Sequence, residues 1–87
     1  MDYKDIRQKA KQAVSNYYVD KEQLYIAVED IYEVWYCKTL QHVKILLSTD
    51  VPDGRYFEVT YNGIKNEMYF DAYVKEHNEC ISLEGVV

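Results

Sequence analysis

Two runs of alternating apolar and polar residues flank Asn62-Gly63 and constrain the fold of this chain more than any other feature. The runs cover residues 55–61 and 66–73. A period of two is typical of a β-strand with one buried face, and Asn-Gly between two such strands is typical of a hairpin. The stretch therefore predicts an antiparallel hairpin that presents one face to a core. The inward set is Phe57, Val59, Tyr61, Met68, Phe70 and Ala72.

The register of this hairpin depends on which residues face each other across the strands. A two-residue turn at Asn62-Gly63 would set Glu58 directly opposite Glu67. A four-residue loop over residues 62–65 offsets these two carboxylates and gains two apolar pairs. Because each cross-strand pair is worth roughly 0.2–1 kcal/mol, the longer loop is favoured by about 1–2 kcal/mol. The pairs gained are Phe57 with Phe70 and Val59 with Met68.

The composition predicts one ordered domain over residues 1–87. Hydrophobic residues make up 48% of the chain, and ten of its residues are tyrosine. This composition is far too apolar for a disordered protein. The formal net charge of −5 disfavours binding to nucleic acid or to an anionic membrane surface. No apolar run approaches the roughly 18–20 residues of a membrane span. The two cysteines and the lack of a secretory leader indicate reduced thiols in the cytoplasm.

The remaining patterns place one helix before the strands. Residues 3–18 carry apolar side chains at spacings of three and four, which predicts an amphipathic helix. Residues 20–30 fit either a short helical turn, which we favour slightly, or a short strand. Residues 80–83 are compatible with a final short strand. The main strands are predicted at residues 31–38, 43–49, 55–61 and 66–73.

This order of elements predicts an α+β fold with two layers. The N-terminal helix packs on one face of a four-stranded antiparallel meander sheet, because consecutive strands with short connections pair with each other. The opposite face of the sheet keeps no obvious cover. The sheet residues expected beneath the helix are Val43, Ile45, Leu47, Phe57, Val59, Met68 and Phe70.

The uncovered face is the best candidate for a functional surface. Strand alternation places five tyrosines there together with Glu58, Glu67 and Asp71. Tyrosine gives a large contact area with little rotamer entropy to lose, so this surface suits protein recognition. The alternative is that the rings only cover one another on a solvated sheet. Stacking on single-stranded nucleic acid would require basic surroundings. The predicted interaction residues are Tyr32, Tyr36, Tyr56, Tyr69 and Tyr73.

A metal site is the sharpest chemical alternative. Two cysteines and two histidines have ligand types that zinc prefers, but their spacings are looser than in common zinc modules, and we expect no metal or cofactor. No catalytic or nucleotide-binding motif occurs, so we expect no enzymatic activity. If Trp35 and Cys37 face the core, Glu33 is in phase with them and faces it too. Burial of a glutamate is costly, and a position of this strand at the edge of the sheet would explain how the charge is tolerated. The four candidate ligands are Cys37, His42, His77 and Cys80.

Four stretches of the chain form a recognisable pattern: residues 35–41, 46–49, 51–54 and 56–63. With them, the chain from about Asp30 to Tyr73 resembles a family of small uncharacterised proteins encoded by phages and prophages of Gram-positive bacteria. The resemblance implies a phage origin and a bacterial cytoplasmic location. It implies no activity and no functional residues.

These observations favour a phage accessory protein that acts as a non-enzymatic protein-interaction module. We expect it to bind a host protein or to form a homodimer, because one helix covers only one side of the sheet. The acidic residues among the tyrosines favour an edge-mediated dimer over face-to-face self-association. The alternative is an acidic DNA mimic or another nucleic-acid-related phage protein, and a small enzyme or metal protein is the third class.

Overall fold

The chain folds into one long helix and a four-stranded antiparallel sheet. The computed structural model describes the backbone of residues 3–84 and the side chains of residues 5–84. The strands follow the order β1-β2-β3-β4, so each pairs with its neighbour along the chain, and the predicted α+β meander is confirmed. The elements are α1 (Tyr3–Glu22), a 3-10 helix (Val28–Asp30), β1 (Tyr32–Thr39), β2 (His42–Ser48), β3 (Arg55–Asn62) and β4 (Glu67–Val74).

Helix α1 runs four residues further than the periodicity predicts. Its buried stripe repeats every four residues through Ile6, Ala10, Val14 and Tyr18, and Tyr18 is fully buried. The helix ends where Gln23 takes a left-handed φ of +50°. Residues 20–30 therefore hold the helix end and the single 3-10 turn rather than a strand.

The core lies between α1 and the inner face of β2 and β3. The inward side chains of these two strands are buried, as the alternation predicts. Helix α1 packs on β2 and β3. The expectation that it also covers Met68 is wrong, since Met68 is 36% exposed, and Phe70 is only partly buried. The buried strand residues are Val43, Ile45, Leu47, Phe57, Val59 and Tyr61.

The hairpin between β3 and β4 has a four-residue loop, but its register differs from the predicted one. Asn62 pairs with Glu67, so the loop is residues 63–66 rather than 62–65. The Asn62 side chain accepts the backbone N–H groups of Ile64 and Lys65, and Asn66 takes a φ of +54°. These local bonds fix the loop one residue further along the chain, so Phe57 pairs two residues beyond Phe70 on β4. The observed pairs include Phe57 with Ala72, Val59 with Phe70 and Tyr61 with Met68.

A β-bulge in β1 reverses the faces that its residues were expected to take. Glu33 pairs with Leu47 and Trp35 with Leu46, so Val34 is an extra residue without a partner on β2. The bulge puts Trp35 and Cys37 on the outer face, and puts Tyr36 on the helix side. Both placements correct the sequence interpretation.

Residues 75–84 form neither helix nor strand, so the short strand considered for residues 80–83 does not form. The side chains of this segment are exposed. Lys75 donates its backbone N–H to the carbonyl of Gly54 at 2.7 Å, which fixes the start of the segment. Within residues 3–84, no helix has both the length and the apolar character needed to cross a membrane.

Candidate protein interface

The face of the sheet opposite α1 carries five aromatic side chains, which we call the aromatic face. Residues directly opposite each other on paired strands point to the same face, and successive residues along a strand alternate between the two faces. Four of the five rings are 40–51% exposed, and Tyr56 is half-buried. The aromatic face consists of Tyr32, Trp35, Tyr56, Tyr69 and Tyr73.

Tyr36 does not belong to this face, which corrects its predicted position. Its ring lies on the helix side, where the guanidinium carbon of Arg7 is 4.1 Å from the ring centroid. Arg7 also forms a salt bridge with Glu33, with 3.1 Å between Nε and Oε1. Arg7 thus explains how β1 tolerates a half-buried Glu33 beside the core.

Trp35 is the residue of the aromatic face that the sequence interpretation missed. Alternation with Tyr32 and Tyr36 on the outer face directs Trp35 toward the core, yet it is 51% exposed. Its position follows from the bulge at Val34, which leaves no mark on the hydrophobic pattern. The acidic Glu33 one position before the bulge was the available signal, since a carboxylate in phase with two core residues indicates a break in alternation.

The rings of the aromatic face contact one another and the acidic groups around them. Tyr56 and Tyr73 stack with 5.0 Å between ring centroids and 13° between planes. The negative charges of Glu58 and then Asp71 raise the pKa of the Tyr73 phenol. A hydrogen bond from its hydroxyl to Glu67 raises the pKa of Tyr69. Tyr69 and Tyr73 are therefore neutral hydrogen-bond donors at physiological pH.

The charge of this face is negative. Glu58 lies directly opposite Asp71 across the β3 and β4 pair, and Glu67 lies on the same face at the start of β4. Lys44 forms a salt bridge with Glu58, with 3.5 Å between Nζ and Oε1. Like charges directly opposite each other destabilise a sheet, so a cation from another molecule would find an attractive position here.

A shallow cavity of about 230 Å³ opens on the same face beside Trp35. It is the size of a single side chain, which suits an anchor residue of a partner. Its walls come from β1, β2 and β3. The lining residues are Trp35, Cys37, Thr39, His42, Val43, Lys44 and Thr60.

The four residues considered as zinc ligands do not form a metal site in the described part of the chain. Cys37 and His42 line the cavity beside Trp35, and the Sγ of Cys37 lies 3.7 Å from the Thr39 hydroxyl. His77 instead pairs with Glu79 in the C-terminal segment, and Cys80 is an exposed free thiol. Among residues 3–84, no group of three or more histidine, cysteine or acidic side chains could hold a metal ion.

The helix and the meander sheet define a small α+β protein in which one face of the sheet, the aromatic face, is left uncovered. This chain belongs to a family of unknown function, DUF6275, whose family model matches residues 7–83. The match covers α1 except for its first four residues, together with all four strands, and it assigns no activity. No curated protein and no solved structure matches the chain. The predicted resemblance to an uncharacterised family is confirmed to this extent.

Proposed function

We propose that this protein is a non-enzymatic interaction module that binds a partner protein through the aromatic face. The observation that carries the proposal is the exposure of Trp35 and three tyrosines on one side of a sheet. With the resemblance noted in the sequence, we further propose a phage accessory protein that acts on a host protein in the bacterial cytoplasm. Membrane and direct nucleic-acid binding are not part of this proposal.

The residue types on this face support protein recognition. Tryptophan and tyrosine are the residues most enriched among those that carry binding energy at protein interfaces, and they contribute most when water is excluded around them. Trp35 beside a cavity of about 230 Å³ gives such an anchor and a neighbouring recess. Contiguous exposed apolar patches of this kind commonly mark binding sites.

The charge of the face indicates the chemistry of the partner. Glu58, Glu67 and Asp71 surround the tyrosines, so a partner with lysine or arginine at the contact is favoured. An arginine could pair with the carboxylates and stack on a ring in one contact. The facing pair Glu58 and Asp71 also supports the second candidate, a DNA mimic that presents carboxylates to a basic nucleic-acid-binding protein.

The proposal is tested by removing the two aromatic side chains of β1 together. The double variant Tyr32→Ser, Trp35→Ser removes about half of the exposed aromatic surface of the aromatic face, and it replaces no buried residue. The matched control is Tyr25→Ser with Ile81→Ser, since these two side chains are 75% and 70% exposed outside the sheet. Parent and both variants are coupled to resin, and proteins captured from host lysate are quantified by mass spectrometry. Each captured protein is then purified, and its affinity is measured by calorimetry.

We expect at least one captured protein to bind the parent and the control variant with equal affinity. The same protein should bind the aromatic-face variant at least about tenfold more weakly, which is a loss of about 1.4 kcal/mol in binding free energy. Equal binding of every captured protein to the parent and to the aromatic-face variant would contradict the proposal. Added duplex DNA that displaces the chain from its partner would identify the DNA mimic rather than a general interaction module.

A further inference from the structure

We infer that a second copy of this chain adds to the free edge of β4, antiparallel, to give one continuous eight-stranded sheet. The inference goes beyond the function proposed above, because it concerns the edge and the inner side of β4 rather than the aromatic face. It depends on a contrast between the two edges of the sheet, on apolar side chains that α1 leaves uncovered, and on the charge pattern along β4.

The two edges of the sheet differ in their protection against pairing. Strand β1 has a bulge at Val34 and points two charged residues, Glu33 and Lys38, toward the helix side. Bulges and inward-pointing charges are devices that stop an edge strand from pairing with another chain. Strand β4 is regular over all eight residues of Glu67–Val74, and it contains neither lysine nor proline. The β4 edge is therefore open to strand addition.

The inner side of β4 is apolar and incompletely covered. Helix α1 packs on β2 and β3, which leaves Met68 36% exposed, Ala72 exposed and Phe70 partly buried. A second copy paired along β4 would place the same three side chains next to these. Each of these side chains then contacts apolar side chains of the second copy, and this contact removes apolar surface from water in both copies.

The charges of β4 select one register for this pairing. Two antiparallel copies of one strand are related by an axis perpendicular to the sheet, so residues on the same face pair with each other. An axis at Asp71 would set two carboxylates face to face. An axis at Phe70 pairs Tyr69 with Asp71 of the second copy, aligns the two Phe70 rings and engages residues 67–73. An axis at Ala72 engages only residues 70–74 of the strand. We assign the axis to Phe70.

The net charge of −5 on each copy opposes this association and provides a further test. Salt screens repulsion between charges that lie more than about 10 Å apart at an ionic strength of 0.1 M. Contacts made by apolar side chains and backbone hydrogen bonds are affected much less. The dimer is therefore expected to become tighter as sodium chloride is raised.

The experiment is sedimentation equilibrium of the full chain over a range of concentrations and two salt concentrations. The parent is expected to reach twice the mass of one chain at micromolar concentrations. Ala72→Lys adds an inward-pointing charge at the β4 edge and is expected to raise the dissociation constant at least about tenfold. Val34→Lys makes the same charge change at the β1 edge, where the native residue is 56% exposed, and is expected to leave the dimer unchanged. If Ala72→Lys does not fold by circular dichroism, Met68→Lys takes its place.

Cross-linking tests the register independently of affinity. In a Cys37→Ser, Cys80→Ser background, the double change Tyr69→Cys, Asp71→Cys is expected to form disulfide-linked dimers on oxidation, and Asp71→Cys alone is not. The inference is overturned by a parent that stays monomeric at high micromolar concentrations, by equal effects of Ala72→Lys and Val34→Lys, or by Asp71→Cys dimers that form as readily as those of the double variant. Loss of lysate binding by the aromatic-face variant bears only on the proposed function, because Tyr32 and Trp35 lie on β1.

Discussion

Asp53 joins three parts of the chain through one carboxylate. Its Oδ2 accepts the Tyr18 hydroxyl at 2.8 Å, and its Oδ1 accepts the backbone N–H of Arg55 at 3.0 Å. The Arg55 guanidinium also binds Glu22 near the end of α1, with 2.6 Å between Nη1 and Oε1. A turn lies at Pro52-Asp53, followed by Gly54 at a φ of +71°. Its aspartate does more than close a turn, since it ties the helix to the sheet.

The buried phenol of Tyr18 gives the fold a pH dependence in the alkaline range. Burial, and then the hydrogen bond to Asp53, raise the pKa of Tyr18 from 10.0 to about 12. Between these values the unfolded chain loses this proton and the folded chain keeps it, so the free energy of unfolding falls as pH rises. Two pKa units correspond to about 3 kcal/mol at most.

We predict that Tyr18→Phe lowers the free energy of unfolding by roughly 0.5–1.5 kcal/mol at neutral pH, because one hydrogen bond is lost. Above pH 10 the parent loses stability faster than the variant, so the difference narrows and then changes sign. Urea unfolding of both proteins at neutral pH and at several values above pH 10 measures this. A constant difference across the whole range would mean that Tyr18 does not titrate differently in the two states.

At the scale of the elements, the sequence predicts which residues form strands better than which residues face each other. The alternation of Phe57, Val59 and Tyr61 is unambiguous, and these residues are buried as expected. The register of the hairpin depends on side chain to backbone bonds of Asn62, which pair energies between strands do not include. The bulge at Val34 adds one residue without a change in the hydrophobic pattern, so only the charge of Glu33 indicates that the alternation breaks before Trp35.

The two phenylalanines of the hairpin are expected to differ in their contribution to stability. Phe57 is fully buried, with ring centroids 5.4 Å from Tyr17 and 5.6 Å from Tyr18. Phe70 is only partly buried, and its ring centroid lies 5.9 Å from that of Tyr17. Phe57→Ala should lower the free energy of unfolding by about 3–5 kcal/mol. Phe70→Ala should cost no more than about half as much, since less apolar area is removed from the core.

Chemical denaturation at a concentration where the chain is monomeric separates these effects from those of association. Equal losses for Phe57→Ala and Phe70→Ala would show that the helix covers β4 more fully than its exposure indicates. Val59→Ala is the matched control for a buried position on the same strand as Phe57.

At the scale of the whole molecule, the sheet separates a core on one side from an aromatic face on the other. The sequence predicts this division and the outer position of Tyr32, Tyr56, Tyr69 and Tyr73. It does not predict that Trp35 joins them, nor that Tyr36 packs under Arg7. The one tryptophan of the chain therefore reports on the outer face rather than on the core.

We predict that Trp35 fluorescence responds to the aromatic face alone. Because the side chain is 51% exposed, acrylamide should quench the folded chain about half as strongly as the urea-unfolded chain. A partner bound to the aromatic face should reduce this quenching, and dimerisation at β4 should leave it unchanged. Quenching near zero in the folded chain would place Trp35 in the core and contradict the bulge at Val34.

The meander order of the strands has a consequence for the kinetics of folding. Every strand pairs with its neighbour across a short connection, whereas the contacts that hold α1 to the sheet join residues far apart in sequence, such as Tyr18 with Asp53. Short loops close at a lower entropic cost and form earlier than long ones. The sheet is therefore expected to assemble first and α1 to dock late. Substitutions at the sheet-facing stripe of α1 would then act mainly on the unfolding rate, while those in β2 and β3 would slow folding itself.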